Sequence, residues 1–209
     1  MDRSRARTRA VYDDIAAHFA ETRTYPWPEV TEFLDAAPEG QFGIDLGCGN
    51  GRHLPALAER VAIPIGLDLS TELLGIASGR TDIDAELAAA DAASLPLAGD
   101  SIAVAIYVAT LHHLPTREAR VRSLDELARV LESDGRGLVS AWSTEHDRFD
   151  ADEGFDATIE WELPNGETRD RFYHIYDPAE FEADLAASDL AVLESQVSSG
   201  NCYATVTVE

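Results

Sequence analysis

The residues Gly43-Ile-Asp45-Leu-Gly47-Cys-Gly49-Asn-Gly51 put a carboxylate two positions ahead of three alternating glycines. Glycines at this spacing let a backbone come close to a ligand, because no Cβ stands in the way. An acid at the mouth of such a turn favours hydroxyls or a positive charge and repels a pyrophosphate. A dinucleotide fingerprint also needs a glycine three positions after the second, and that position here is Arg52. A second acid, Asp68, closes the next strand-like run, Ile63-Pro-Ile-Gly-Leu-Asp68. Carboxylates accept hydrogen bonds from ribose hydroxyls and exocyclic amines. Two of them at neighbouring strand tips point to a nucleoside that also carries positive charge.

Other residues of chemical interest are spread along the chain. Asp91 stands in Ala90-Asp91-Ala92, His112 and His113 follow a long apolar run, and Trp142 ends a strand-like segment. Arg171 precedes Tyr173-His174-Ile-Tyr176, and Arg23-Thr-Tyr25-Pro-Trp27-Pro28 combines a guanidinium with two aromatic rings. Each has a plain structural reading as well. Trp142 can be core packing at a strand end, Arg171 can pair with Asp170, and one histidine of the pair can simply pack.

The elements that must position these groups follow from periodicity. Residues 5–20 carry Ala6, Ala10, Val11, Ile15 and Phe19 at helical steps, and Pro28 opens a helix to Ala36. Strands at 41–46, 62–67, 85–90, 102–109 and 136–142 alternate with helices at 52–60, 70–79 and 116–131. Ser70 and Thr116 stand at the helix starts, and Asp134-Gly135 makes a turn before the fifth strand. The run 102–109 is apolar almost throughout, as a central parallel strand covered on both faces should be. A hairpin of 157–163 and 168–176 turns at Asn165-Gly166. A helix from Pro178 to Ala187 and two last strands, 190–198 and 202–208, close the chain. The expectation is an α/β fold of one domain: a doubly wound, seven-stranded, mostly parallel sheet with a C-terminal antiparallel hairpin and a small inserted hairpin. Residues 1–38 form a helical cap, 40–142 the core, 143–176 the insertion and 177–209 the closing helix and hairpin.

Composition narrows the setting. The 209 residues carry 39 acidic against 16 basic side chains, a net charge of −23, and every basic residue is Arg. Self-repulsion at this charge destabilises a compact chain in dilute buffer, whereas at molar salt the Debye length falls to roughly 3 Å. The balance is that of a salt-rich cytoplasm such as a halophilic archaeon's. The acids are spread along the chain and form no block for a basic partner. Cys48 and Cys202 make neither a disulfide framework nor a metal cluster. No apolar run is long enough to span a bilayer, and a cytoplasmic protein is expected. The arginines Arg3, Arg5, Arg7 and Arg9 give the N-terminus a local positive charge.

The ordered pieces of the core resemble the class I S-adenosylmethionine-dependent methyltransferases. Asp45-Leu-Gly-Cys-Gly-Asn-Gly51 is similar to their first motif, Asp68 to the acid that holds the ribose, and Ala90-Asp91-Ala92 to the acidic segment near the adenine. Ser94-Leu-Pro96 leads into the fourth strand as it does there. The resemblance implies S-adenosylmethionine as cofactor, bound by Asp45, Gly47, Gly49, Asp68, Leu69, Asp91 and Ala92, and no metal. A narrower resemblance runs almost the full length. The segment from Val11 through Arg23 to Pro28, His112-His113, Trp142, and Arg171 with Tyr173-His-Ile-Tyr176 are similar to the tRNA methyltransferases that esterify a carboxymethyl group on the wobble uridine. This implies catalytic roles for Arg23, His112, Trp142, Arg171 and His174, and substrate contacts from Tyr25, Trp27 and His113. It also implies tRNA as substrate and a small zinc-binding activator subunit as partner in a heterodimer. The long basic insertion of the eukaryotic relatives is absent between Trp142 and Arg171. A small-molecule O- or C-methyltransferase, or a non-catalytic scaffold, would share parts of the same pattern.

Overall fold

Residues 102–107 are buried at every position, and this strand lies at the centre of the sheet. The computed structural model describes residues 3–80 and 84–208; the side chains of Arg3 and Ser4 lie outside what is described. Helices α1 (Arg3–Thr22) and α2 (Pro28–Ala36) lead into β1 (Gly40–Leu46), α3 (Leu54–Leu57), β2 (Val61–Asp68), α4 (Thr71–Arg80), β3 (Glu86–Ala89) and β4 (Ile102–Tyr107). Next come a 3-10 turn (Leu111–His113), α5 (Arg117–Val130), β5 (Leu131–Trp142), β6 (Phe155–Glu162), β7 (Thr168–Ile175), α6 (Pro178–Ala186), β8 (Ala191–Ser198) and β9 (Asn201–Thr207).

Seven strands form one sheet in the order β3-β2-β1-β4-β5-β9-β8, parallel from β3 to β5. Strand β9 runs antiparallel to β5, and β8 antiparallel to β9. The inserted hairpin β6-β7 is a separate two-stranded sheet. The expected doubly wound architecture is thus present, with one face covered by α5 and α6 and the other by α2 and α3. The order reverses between β1 and β4, so a crevice opens at the carboxyl ends of these strands.

Local chemistry explains most element ends. Ser70 Oγ accepts the N–H of Leu73 and donates to Asp13 on α1, at 3.2 and 2.6 Å. Thr116 caps α5 through the N–H of Ala119, and Asp177 caps α6 through Ala179 and Glu180. Three expectations change. The helix placed at 52–60 has only one α-turn, Leu54–Leu57. Its flanks close with tight three-residue bonds (Leu54 N–H to Gly51, Glu59 to Ala56 and Arg60 to Leu57), and Pro55 has no N–H to extend the α-helical ladder. Asp134-Gly135 lies inside β5 as an irregularity, since Ile102 pairs with Leu131 but Val104 with Arg136. The last hairpin turns at Ser199-Gly200, both at positive φ, and β9 begins at Asn201, one residue earlier than expected.

Candidate active site

The crevice holds a partly open cavity. Its floor is made by the strand tips at Gly47, Asp68, Leu69, Asp91, Ala92 and Thr110. Its roof is α1, which turns Arg5, Thr8, Arg9 and Tyr12 toward it at three- and four-residue steps. Helix α1 is fastened there by polar contacts. Arg5 pairs with Asp91, and Asp13 accepts from Ser70 Oγ.

Asp68 is positioned by backbone. Its Oδ2 accepts the N–H of Gly49 and its Oδ1 the N–H of Ser70, both at 2.8 Å. Each carboxylate oxygen keeps a second acceptor direction for a ligand hydroxyl. Burial raises its pKa, and the backbone N–H groups of Ser70, Gly49 and Leu69 pull it back. Asp91 Oδ1 accepts the N–H of Ala93 at 3.0 Å. Gly47 has φ +78°, and a Cβ there would lie 2.0 Å from Thr110 Oγ1. Ala109, at the tip of β4, also holds a positive φ of 53°, a conformation that costs about 1–3 kcal/mol and is concentrated at ligand sites.

Two expected cofactor residues do not line this cavity. Gly49 gives its N–H to Asp68, and Asp45 lies buried behind the turn with Oδ2 unpartnered among the described residues. His53 Nδ1 is 3.8 Å from that oxygen. Burial and Arg52 lower the His53 pKa to about 3, so this contact is not an ion pair at neutral pH. Asp45 itself is raised to about 7 by burial, with Arg52 opposing and Asp68 adding to the rise. A buried carboxylate without a partner is a fitting neighbour for a cation.

A family model described as a methyltransferase domain matches residues 44–139, the span from β1 to β5 that builds the crevice. These strands therefore carry a methyltransferase domain of the Rossmann-like, S-adenosylmethionine-dependent kind. The tRNA (carboxymethyluridine(34)-5-O)-methyltransferase of Saccharomyces cerevisiae is 37% identical to it over 163 residues, 76% of this chain and 57% of that protein. The Schizosaccharomyces pombe protein of the same name is 28% identical over 207 residues, 88% of each. The Xenopus tropicalis relative is 39% identical over 137 residues, 66% of this chain but 21% of its own length, so the methyltransferase spans about a fifth of the animal relatives it matches. In structure it resembles a chain of the complex between the Haloferax volcanii Trm112 methyltransferase activator and a methyltransferase (TM-score 0.71, 18% identity, covering 96% and 97% of the two chains).

S-adenosylmethionine fits the methyltransferase on two structural grounds: the cradle at Gly47 and the open acceptor directions of Asp68. The raised Asp45 pKa has a measurable consequence. Its folded pKa lies above the ordinary value near 4, so the protonated form is favoured on folding. This group therefore costs stability as pH rises from about 4 to about 7. The melting temperature of the free protein is expected to fall between about pH 5 and about pH 7 in the parent and to change less over that range in Asp45→Asn. A profile in the variant as steep as in the parent would exclude Asp45 as the titrating group.

A second cavity, of about 520 Å³, lies on the other side of Tyr12, which both cavities share with Thr8. Tyr12 Oη is 2.8 Å from His113 Nε2 and 3.5 Å from Tyr173 Oη. His113 Nδ1 donates to the carbonyl of Phe172 at 2.9 Å, so Nε2 is the acceptor for the tyrosine. Burial lowers the His113 pKa to about 4 and raises that of Tyr12, which keeps both neutral. Arg171 stands at the end of this chain of contacts. It is 9% exposed, donates from Nη1 to Tyr173 Oη at 2.6 Å, and has no carboxylate partner among the described residues. Its Nε is buried without any partner. The indole of Trp161 lies 4.7 Å from the Arg171 guanidinium and 5.5 Å from that of Arg23.

The remaining expected residues fall elsewhere. His112 is buried, and its Nδ1 accepts the backbone N–H of Trp142 at 3.0 Å; it fixes the end of β5 and lines neither cavity. Trp142 packs edge-on against His146, Phe149 and Tyr173, which is the packing reading. His174 points to the opposite face of β7, with Nδ1 2.8 Å from Asp156 and Nε2 2.9 Å from Glu180, in the ionic cluster that joins α5 to α6 through Arg120 and Asp184. The face of Trp27 is covered by Arg52 at 4.7 Å, and Tyr25 is 82% exposed on the loop after α1. His113 alone of the histidine pair reaches the cofactor cavity.

Sequence reasoning missed Tyr12, Arg5 and Trp161. The hairpin register offered a signal for the last. With the turn at Asn165-Gly166, Ile159 pairs with Arg171, so Trp161 lies diagonally across from Arg171 on the same face.

Proposed function

We propose that this methyltransferase esterifies a carboxylate borne on an RNA base, the carboxymethyl group of a wobble uridine in tRNA. The observation that carries the reading is Arg171, a buried guanidinium without a carboxylate of its own, one tyrosine away from the cofactor cavity. A buried charge is costly unless paired, and a substrate carboxylate is a partner of the right sign and shape. The names of the fungal and animal relatives support the same substrate.

Bound S-adenosylmethionine supplies an electrophilic methyl group on a sulfonium. A carboxylate is already ionised at neutral pH, so the chain need not remove a proton. This agrees with a site whose histidine and tyrosine are held neutral. Its work is alignment: Arg171 holds the carboxylate, Thr8 and Tyr12 border both the substrate and the cofactor cavity where the two reactants must meet, and α1 excludes water from above. Trp161 keeps the two guanidiniums of Arg171 and Arg23 in place through their contact with its ring, each worth about 0.5–2 kcal/mol. Trp161→Leu is therefore expected to slow methyl transfer to RNA about tenfold in single-turnover assays while cofactor affinity stays within about twofold. An unchanged rate would remove Trp161 from this account.

A small activator subunit completes the proposal. The structural neighbour solved as a complex with the Haloferax volcanii Trm112 activator supports it, as does the acidic surface, which leaves part of the RNA grip to a partner. The composition supports a halophilic host and a cytoplasmic location, and no described helix is long and apolar enough to cross a membrane. Deleting the gene in its host and profiling tRNA nucleosides by mass spectrometry tests the function. Loss of a wobble methyl ester is expected; an unchanged profile would refute it and turn attention to a small-molecule acceptor.

A further inference from the structure

Away from Arg171 the chain gathers guanidinium groups a second time, against the trend of its composition. The loop between α1 and α2 is pinned by its own carbonyls. Asn50 Nδ2 donates to the carbonyl of Arg23 at 2.8 Å, and Arg80 donates to those of Arg23 and Thr24 at 3.3 and 2.9 Å. Beside this loop Arg52 leaves the glycine turn and lies on the ring of Trp27. Neither Arg23 nor Arg52 has a carboxylate within ion-pair distance among the described residues. Burial, with Arg23 and Arg80 nearby, lowers the Arg52 pKa to about 10 while Asp45 opposes the shift. Three like charges thus converge in a chain that carries 39 acids. At the rim, Tyr25 presents its ring to solvent at 82% exposure.

We infer that the cleft lined by Arg23, Tyr25, Trp27 and Arg52 is a phosphodiester site that holds the substrate RNA next to its reacting nucleotide. The inference rests on the RNA reading above and adds a second anchor to it. A guanidinium whose contact with an indole is made through its central carbon can still offer N–H groups to phosphate oxygens. An exposed tyrosine beside a phosphate site offers a stacking face to the adjoining base. The two regions are connected, since Arg23 touches Trp161 on one side and lines this cleft on the other. The residues Arg171, Trp161, Arg23, Arg52 and Tyr25 therefore combine charge and ring along a path from the buried carboxylate site to the surface.

The test is fluorescence anisotropy of a labelled anticodon stem-loop RNA with the full chain in complex with its activator subunit over a KCl series. Arg52→Gln and Tyr25→Ala are compared with Arg122→Gln, an exposed position on α5. Arg52→Gln is expected to weaken binding about tenfold and to reduce the slope of log Kd against log salt by about one. Tyr25→Ala should weaken it by a similar factor with the slope unchanged, and Arg122→Gln should behave as the parent. If both variants bind like the parent, with an unchanged slope, while the parent still methylates the RNA, the phosphate site is wrong and the RNA reading survives. If the parent neither binds nor methylates the RNA, both fall. Should Arg52→Gln fail to fold, Tyr25→Ala decides the matter from its exposed position.

Discussion

Arg171→Met should reduce methyl transfer to carboxymethyluridine RNA by about a hundredfold to a thousandfold, the cost of truncating one partner of a buried, hydrogen-bonded charge pair (about 3–4 kcal/mol). Cofactor affinity should stay within about twofold, because Arg171 does not line the cofactor cavity. The free protein should not lose stability. In the absence of substrate the guanidinium is desolvated, with one side-chain hydrogen bond to Tyr173 and an unpartnered Nε. Methionine keeps the aliphatic stem against Trp161 and removes the buried charge, so the melting temperature is expected to hold or rise by a few degrees, the usual exchange between function and stability. A melting temperature that falls by several degrees together with cofactor affinity would make Arg171 a structural residue.

The second large effect is expected at Gly47. Alanine at φ +78° adds about 1–2 kcal/mol of backbone strain, and its Cβ would meet the oxygen, methyl and Cβ of Thr110 at 2.0–2.7 Å. Thr110 lies just after the tip of β4, beside Ala109 with its own positive φ, so the turn and the tip must both move. Gly47→Ala should lower the melting temperature of the free protein by about 2–8 °C and abolish the further rise that S-adenosylmethionine produces by binding the folded state. A cofactor-induced rise equal to the parent's would mean that the ligand does not approach this turn.

Much of the scaffold was legible because each strand tip carries its own chemical mark. The glycine turn, Asp68 and Asp91 all end strands of the parallel half, and the structure sets Gly47, Asp68, Leu69, Asp91 and Ala92 around one cavity. What was not legible came from three sources. Period-two alternation places Arg171 and Tyr173 on one face of β7 and His174 and Tyr176 on the other, so Arg171 and His174 cannot serve one site, although a family-like block joins them. Adjacent residues in the 3-10 turn likewise diverge, with His113 toward Tyr12 and His112 toward the backbone of β5. Finally, the roof over the cofactor crevice depends on where α1 docks. The contacts of Arg5 with Asp91 and of Tyr12 with His113 join residues 86 and 101 positions apart, and no local pattern announces such a pairing.

The central claim is that the methyl group goes to a carboxylate oxygen held by Arg171. It is tested most directly by incubating the methyltransferase and its activator with S-adenosylmethionine and three anticodon stem-loop RNAs. These differ only at the wobble base: uridine, carboxymethyluridine, and the uncharged carbamoylmethyluridine. The expected result is methylation of the carboxymethyl RNA alone, with a methyl group that mild alkali releases as methanol. Methyl transfer to the uncharged base, or an alkali-stable product on any of the three, would contradict it.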